Sequence, residues 1–268
     1  MSLKDITIKK HYDSDEDDIL NEFYIKVLSE SVTYERLAGF FSSSTLVAAC
    51  QGIYKFVKEN NGKIKIITSA CFSDKDIEAI KIGLKDRNQT LTDNFIKDWD
   101  LIKDDFINDH FKALSWLIAN NRLIIKVAIF EDENGMPVGR EDTRLFHQKV
   151  GILTDNEGNK LSFSGSENES YQGWSSNIEE FKVFRGWMED ESDYLLADIY
   201  KFDKFWNNNA QKIKIINIPD AIKEKFIQKA PKEFEDSNIN RWYNLIKDKK
   251  SISLRYFQNE AIKISFIY

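Results

Sequence analysis

A chain of 268 residues is long enough for one large domain, or for one domain with an appendage. With 42% apolar and 31% charged residues its composition is that of an ordinary globular protein, and no apolar run approaches the roughly 20 residues of a membrane-spanning helix, so no membrane partner is expected. The net charge of −6 argues against broad coating of nucleic acid, but the acid is clustered, at 13–18 (DSDEDD) and across 93–109, which leaves room for a local basic cleft. Both acidic clusters are expected to be solvated, the first as a loop and the second as a helix face. The N-terminal MSLKDITIKK lacks the apolar core of a signal peptide, and Cys50 and Cys71 are expected to be reduced thiols in a cytoplasmic protein.

The predicted elements follow in chain order. Ile19, Leu20, Phe23, Val27 and Leu28 recur at helical spacing. Arg36 to Phe41 reads as a short strand, and Ser42 to Ser44 cap a helix whose apolar positions include Leu46, Ala49, Ile53, Phe56 and Val57. Asn60, Asn61 and Gly62 stop it; Lys63 to Ser69 (KIKIITS) is a strand, and Ser73 opens a helix to about Leu84. Such alternation predicts an α/β layer architecture with parallel strands. Leu91 to Asn120 is mainly helical, and Leu123 to Phe130 (LIIKVAIF) is a buried strand. Further strands are predicted at 181–184 and 212–218, and a helix at 191–206. A boundary at Pro219 separates a domain over 1–218 from a mainly helical extension over 219–268.

The segment Arg144 to Asn168, RLFHQKVGILTDNEGNKLSFSGSEN, concentrates the chemistry. It reads as a hairpin reversing at 155–159, where Asp, Asn and Gly favour a tight turn. Side chains two apart on a strand share a face, so His147 and Lys149 point the same way, and Ser166 and Asn168 do likewise. Imidazole, ammonium, hydroxyl and carboxamide together suit an anionic, phosphoryl group. His110-Phe111-Lys112 repeats the HxK spacing inside a predicted helix, where positions two apart diverge by about 200° and share no ligand.

His147-Gln148-Lys149 followed by Gly165-Ser166-Glu167-Asn168 resembles the HxK and GSxN signature of the phospholipase D superfamily. The resemblance implies an α/β fold, a phospholipase D-like mixed sheet with helices on both faces and a small helical C-terminal extension. It implies a phosphodiesterase without metal or other cofactor, in which His147 attacks phosphorus to form a phosphohistidine and Lys149, Asn168 and Ser166 hold the non-bridging oxygens. The family's acid after the lysine has Asp155 as its nearest counterpart, one residue beyond the usual spacing. Asn177-Ile178-Glu179 matches the NxE pattern of the superfamily nucleases and makes Glu179 the carboxylate that orients His147, with Glu180 as the alternative.

The chain carries one copy of a motif that the superfamily uses in pairs. A homodimer with two His147 residues facing across a two-fold axis would complete the site; otherwise the module is decayed and serves only nucleic-acid binding or dimerisation. Arg140 and Arg144 are expected as extra phosphate contacts; Tyr171, Trp174 and Trp187 flank the site and are expected either to pack in the core, the favoured reading, or to stack on bases, with Trp174 the first candidate for stacking. Finally, Ser253 to Ile262 (SLRYFQNEAI) resembles the element preceding the phosphate-binding loop of superfamily 2 helicases. It implies a nuclease module attached to a helicase motor in a restriction- or defence-type protein, acting on nucleic acid, with DNA favoured over RNA.

Overall fold

The structure, a computed structural model, describes residues 1–39, 49–69, 105–135, 138, 146–166, 179–218, 223, 227–228 and 230–234. The helix predicted from Ser73, the residues Cys71, Arg140, Arg144, Asn168, Tyr171 and Trp174, and most of the 219–268 extension lie outside them.

Eight strands form one mixed sheet. In chain order they are β1 (His11–Asp13), β2 (Ser31–Ala38), β3 (Lys63–Ser69), β4 (Leu123–Ile129), β5 (Val150–Asp155), β6 (Lys160–Gly165), β7 (Glu180–Arg185) and β8 (Lys214–Asn217). Their order across the sheet is β1-β7-β6-β5-β2-β3-β4-β8. The parallel strands expected from the alternating pattern are β2, β3 and β4. Every other neighbouring pair is antiparallel, which makes the sheet mixed.

Helices cover both faces. On one side lie α1 (Ile25–Glu30), entered through a π-helical turn Leu20–Tyr24, α2 (Cys50–Tyr54), which runs into a second π-helical turn Lys55–Glu59, and α3 (Asp105–Ala119). On the other lies α4 (Ser192–Trp206). The strand side chains alternate between two cores accordingly. Tyr34, Ile64, Ile66, Leu153, Phe163 and Phe181 join the larger core with Phe23, Val27, Leu28, Ile53 and Phe56. Leu37, Ile67, Val150, Ile152 and Phe202 form the smaller one beneath α4. This is the period-two pattern of a sheet buried on both sides. The helical face read from Ile19, Phe23, Val27 and Leu28 is the buried one. His110 lies within α3, as its surroundings predicted, and Trp187 packs against the larger core.

One expectation is corrected and one is sharpened. The strand placed at 36–41 begins earlier, at Ser31, because pairing with β5 and β3 extends it through polar Thr33 and Glu35. The acidic stretch at 13–18 is a solvated turn, as expected, and its hydrogen bonds order it. Asp13 closes β1, its carbonyl accepts from the amides of Glu16 and Asp17 at 3.0 and 2.7 Å, and its own amide donates to the Asp17 carboxylate at 3.0 Å. Lys9 neutralises Asp17 at 2.5 Å and holds its carboxyl below the usual range.

At the end of β7 away from the site, Arg185 and Glu191 join the turn into α4. Both carboxylate oxygens are used: one accepts from the Arg185 amide at 2.9 Å and from Nε at 2.8 Å, the other meets Nη2 at 2.5 Å. The Arg185 guanidinium is the main cause that brings the Glu191 carboxyl down to about 2, against the cost of burial. A depressed acid contributes stability that is fully present above its unfolded pKa, near 4.5, and lost as pH falls through the folded value. Glu191→Gln should therefore cost about 3 kcal/mol in urea denaturation at neutral pH, with the gap to wild type closing steadily below pH 4. A gap independent of pH would contradict this role for the charge.

Candidate functional site

The site is built where strand ends meet. His147 and Lys149 immediately precede β5, Ser166 immediately follows β6, and Glu179 immediately precedes β7. Because β5, β6 and β7 are antiparallel in that order, all four positions fall at one end of the sheet. The carboxyl ends of parallel β2, β3 and β4 point to the same end, since β2 runs antiparallel to β5. Open α/β sheets bind ligands beyond those carboxyl ends. The sequence reading placed His147 and Lys149 on the first hairpin strand; the ladder begins one residue later, at Val150.

His147 is exposed and Lys149 is buried at 5% accessibility. Their side chains do share a side: Lys149 Nζ lies 2.8 Å from His147 Nε2. An ammonium has only donors, so the contact requires a lone pair on Nε2. The ring proton of a neutral imidazole then sits on Nδ1. That lone pair is engaged by the ammonium while the contact lasts.

Across the sheet, the Ser166 hydroxyl donates a short hydrogen bond to Glu179 Oε2 and accepts from the Glu180 amide at 3.2 Å. The Ser166 amide donates to the Glu180 carbonyl at 3.0 Å. Gly165 makes this approach possible. A Cβ there would stand 2.0 Å from the Glu180 carbonyl oxygen and 2.6 Å from Phe181 Cα, so the first residue of the GSxN run has no room for a side chain. Of the two acids weighed as partner to His147, Glu180 turns away and meets His11 at 3.4 Å, while Glu179 faces Ser166. Ser166, on the middle strand, stands between His147 and Glu179.

Asp155 lies elsewhere. It ends β5, roughly 16 Å along that strand from Val150 at the site end. Its carboxylate accepts from the Leu3 amide at 2.8 Å, the Glu157 amide at 2.9 Å, and the amide and side chain of Asn159, both at 2.8 Å. Burial opposes the charge, but these bonds outweigh it and hold the carboxyl below its usual range. Its part is to fix the hairpin turn, where Gly158 takes a φ of 84°, and to anchor the N-terminus. Arg140, Arg144, Asn168 and Trp174 lie outside the described residues, so they are not placed with respect to His147.

Two residues near the site were not singled out from sequence. Arg36 on β2 is fully buried, lies over the Phe163 ring at 5.0 Å and pairs with Gly151, two residues along from Lys149. Gly151 leaves the space that the Phe163 ring fills. No local signal marked Arg36, since its strand also carries polar Ser31, Thr33 and Glu35 and its burial comes from packing. Ser14 bonds the Glu179 backbone; nothing in the acidic run around it marked it.

No family model matches the sequence, and no curated protein does either. Solved structures similar to the chain include NucT from Helicobacter pylori, 16% identical over 77% of this chain and 96% of that one, with a TM-score of 0.43. Nuc from Salmonella typhimurium, described as a phospholipase D family member, is 13% identical over 69% and 84%, with a TM-score of 0.34. Phosphatidylserine synthase of Haemophilus influenzae Rd KW20 is 12% identical over 81% of this chain and 43% of its own, with a TM-score of 0.38. Overlaps this loose leave function to be argued from the chain's own residues.

Proposed function

We propose that the chain is a phospholipase D-like, metal-independent phosphodiesterase, a nuclease module acting through a phosphohistidine on His147. The observation that carries the reading is the 2.8 Å contact of Lys149 Nζ with His147 Nε2, which puts an imidazole nitrogen and a cation side by side; transfer of the ammonium to a phosphate oxygen would free the Nε2 lone pair. A phosphodiester entering there places its phosphorus against Nε2 and its non-bridging oxygens against the ammonium, with Ser166 and Asn168 as further donors. The Nε2 lone pair forms the P–N bond, and the P–O bond opposite breaks. Nδ1–H donates to a carboxylate as the ring gains positive charge, and Glu179 is the residue for that role. Water then attacks phosphorus, the P–N bond breaks, and His147 is restored.

In-line displacement puts the leaving oxygen opposite Nε2. Lys149 flanks Nε2, so it serves equatorial oxygens and not the leaving group. The proton for the alkoxide must come from beyond the His147 side, and a second copy of the chain facing its own His147 across a two-fold axis would supply it. Arg140, Arg144 and Trp174 extend the proposed contacts along the strand. The SLRYFQNEAI element at 253–262 supports attachment to a helicase motor in a restriction- or defence-type protein, and with it nucleic acid, DNA first, as substrate. No described helix is long and apolar enough to cross a membrane.

The test is incubation of the wild-type chain with single- and double-stranded DNA, RNA and phospholipid vesicles in EDTA. Nucleic-acid cleavage is the expected result. Lipid turnover alone would shift the substrate class, and binding without cleavage would make this a nucleic-acid-binding module.

A further inference from the structure

We infer that Ser14 is a positioning residue of the site, locking the backbone of Glu179 so that its carboxylate meets Ser166. The inference rests on the proposed role of Glu179 and extends it to the N-terminal acidic run. Ser14 and Glu179 bond reciprocally: the Glu179 amide donates to Ser14 Oγ at 2.7 Å, and the Ser14 amide donates to the Glu179 carbonyl at 3.0 Å. Both backbone polar groups of one catalytic-site residue are thus satisfied by one serine 165 positions away in sequence.

The serine is itself held. Asp13, the residue before it, is in register with Glu180 in the β1–β7 ladder. The turn that follows is closed by the Glu16 and Asp17 amides on the Asp13 carbonyl and tied by the Lys9–Asp17 ion pair. Tyr12 anchors the strand beneath, buried at 1% and stacked on Phe181 at 5.2 Å between centroids. Asp13 and Asp17 thus clamp the turn that carries Ser14. A carboxylate carried on a strand terminus needs such support, because displacements of about 0.5 Å already erode a hydrogen-bonded constellation. Ser14 supplies an acceptor that alanine lacks and threonine retains.

The experiment compares wild type, Ser14→Ala and Ser14→Thr as full chains, alone and with Glu179→Gln. Two readouts are taken: hydrolysis of bis(4-nitrophenyl) phosphate in EDTA, and the carboxylate carbon resonance of Glu179 at one fixed pH. Ser14→Ala should lower kcat on the order of 10-fold with KM within about twofold, and threonine should restore it. In the Glu179→Gln background the alanine should cost nothing further, because both changes remove one function. The Glu179 resonance should move in Ser14→Ala and return in Ser14→Thr. A kcat that is unchanged, or a loss that multiplies with Glu179→Gln, would overturn the inference, as would an unmoved resonance. Should the wild type fail to hydrolyse the diester, the proposed function falls, and the resonance alone still decides whether Ser14 places Glu179.

Discussion

His147→Ala should abolish EDTA-resistant cleavage, with kcat falling on the order of 10⁴-fold or more while the protein remains folded. Removal of a covalent nucleophile leaves only the binding and electrostatic contributions, which explains the size of the expected loss. The side chain is exposed, and its ring contact is to Lys149 Nζ, so truncation opens no core cavity. Thermal melting should shift by no more than a few degrees. Substrate affinity should survive, since Lys149 no longer shares its ammonium with an imidazole and can still meet a phosphate oxygen. Retained cleavage in the variant would remove His147 from the mechanism.

Gly165→Ala should be the most damaging small substitution in the described part of the sheet. The new methyl would stand 2.0 Å from the Glu180 carbonyl oxygen and 2.6 Å from Phe181 Cα, both in the backbone region of a neighbouring strand. A flexible side chain could swing aside; a ladder cannot, so β6 and β7 must separate there. The expected cost is roughly 3 kcal/mol in urea denaturation. Activity should fall further than the folded fraction does, because the same separation pulls Ser166 from Glu179. A variant with wild-type stability would contradict the close approach of β6 and β7 at Gly165.

Much of the architecture was legible in local pattern. KIKIITS and LIIKVAIF announce β3 and β4 through runs of β-branched residues, and Ile19, Phe23, Val27 and Leu28 mark the buried stripe leading into α1. The shared side of His147 and Lys149 followed from their spacing alone, even though the ladder begins after them. What escaped depends on partners distant in sequence. His11-Tyr12-Asp13 is too short and polar to read as a strand, and becomes one only because the β7 edge pairs with it. The sequence between Asp13 and Asp18 looked like solvated charge; pairing at that edge turns it into an ordered clamp whose Ser14 reaches Glu179. Asp155 sits one residue from the family spacing, and its partners Leu3, Glu157 and Asn159 explain its position as the support of a turn.

The antiparallel arrangement also fixes how the site is shared among strands. His147, Ser166 and Glu179 come from three neighbouring strand ends, with Ser166 in the middle. Ser166 and Glu179 are held by backbone hydrogen bonds where β6 and β7 meet, the kind of support that a preorganised polar site needs.

The central claim is a covalent bond between phosphorus and His147 Nε2. Rapid quenching of wild-type protein with a phosphodiester under alkaline conditions, followed by peptide mass spectrometry, tests it directly. A phosphoryl adduct on the peptide containing His147, absent from His147→Ala, is the predicted result. Turnover with no adduct on that histidine, or an adduct on another residue, would contradict it.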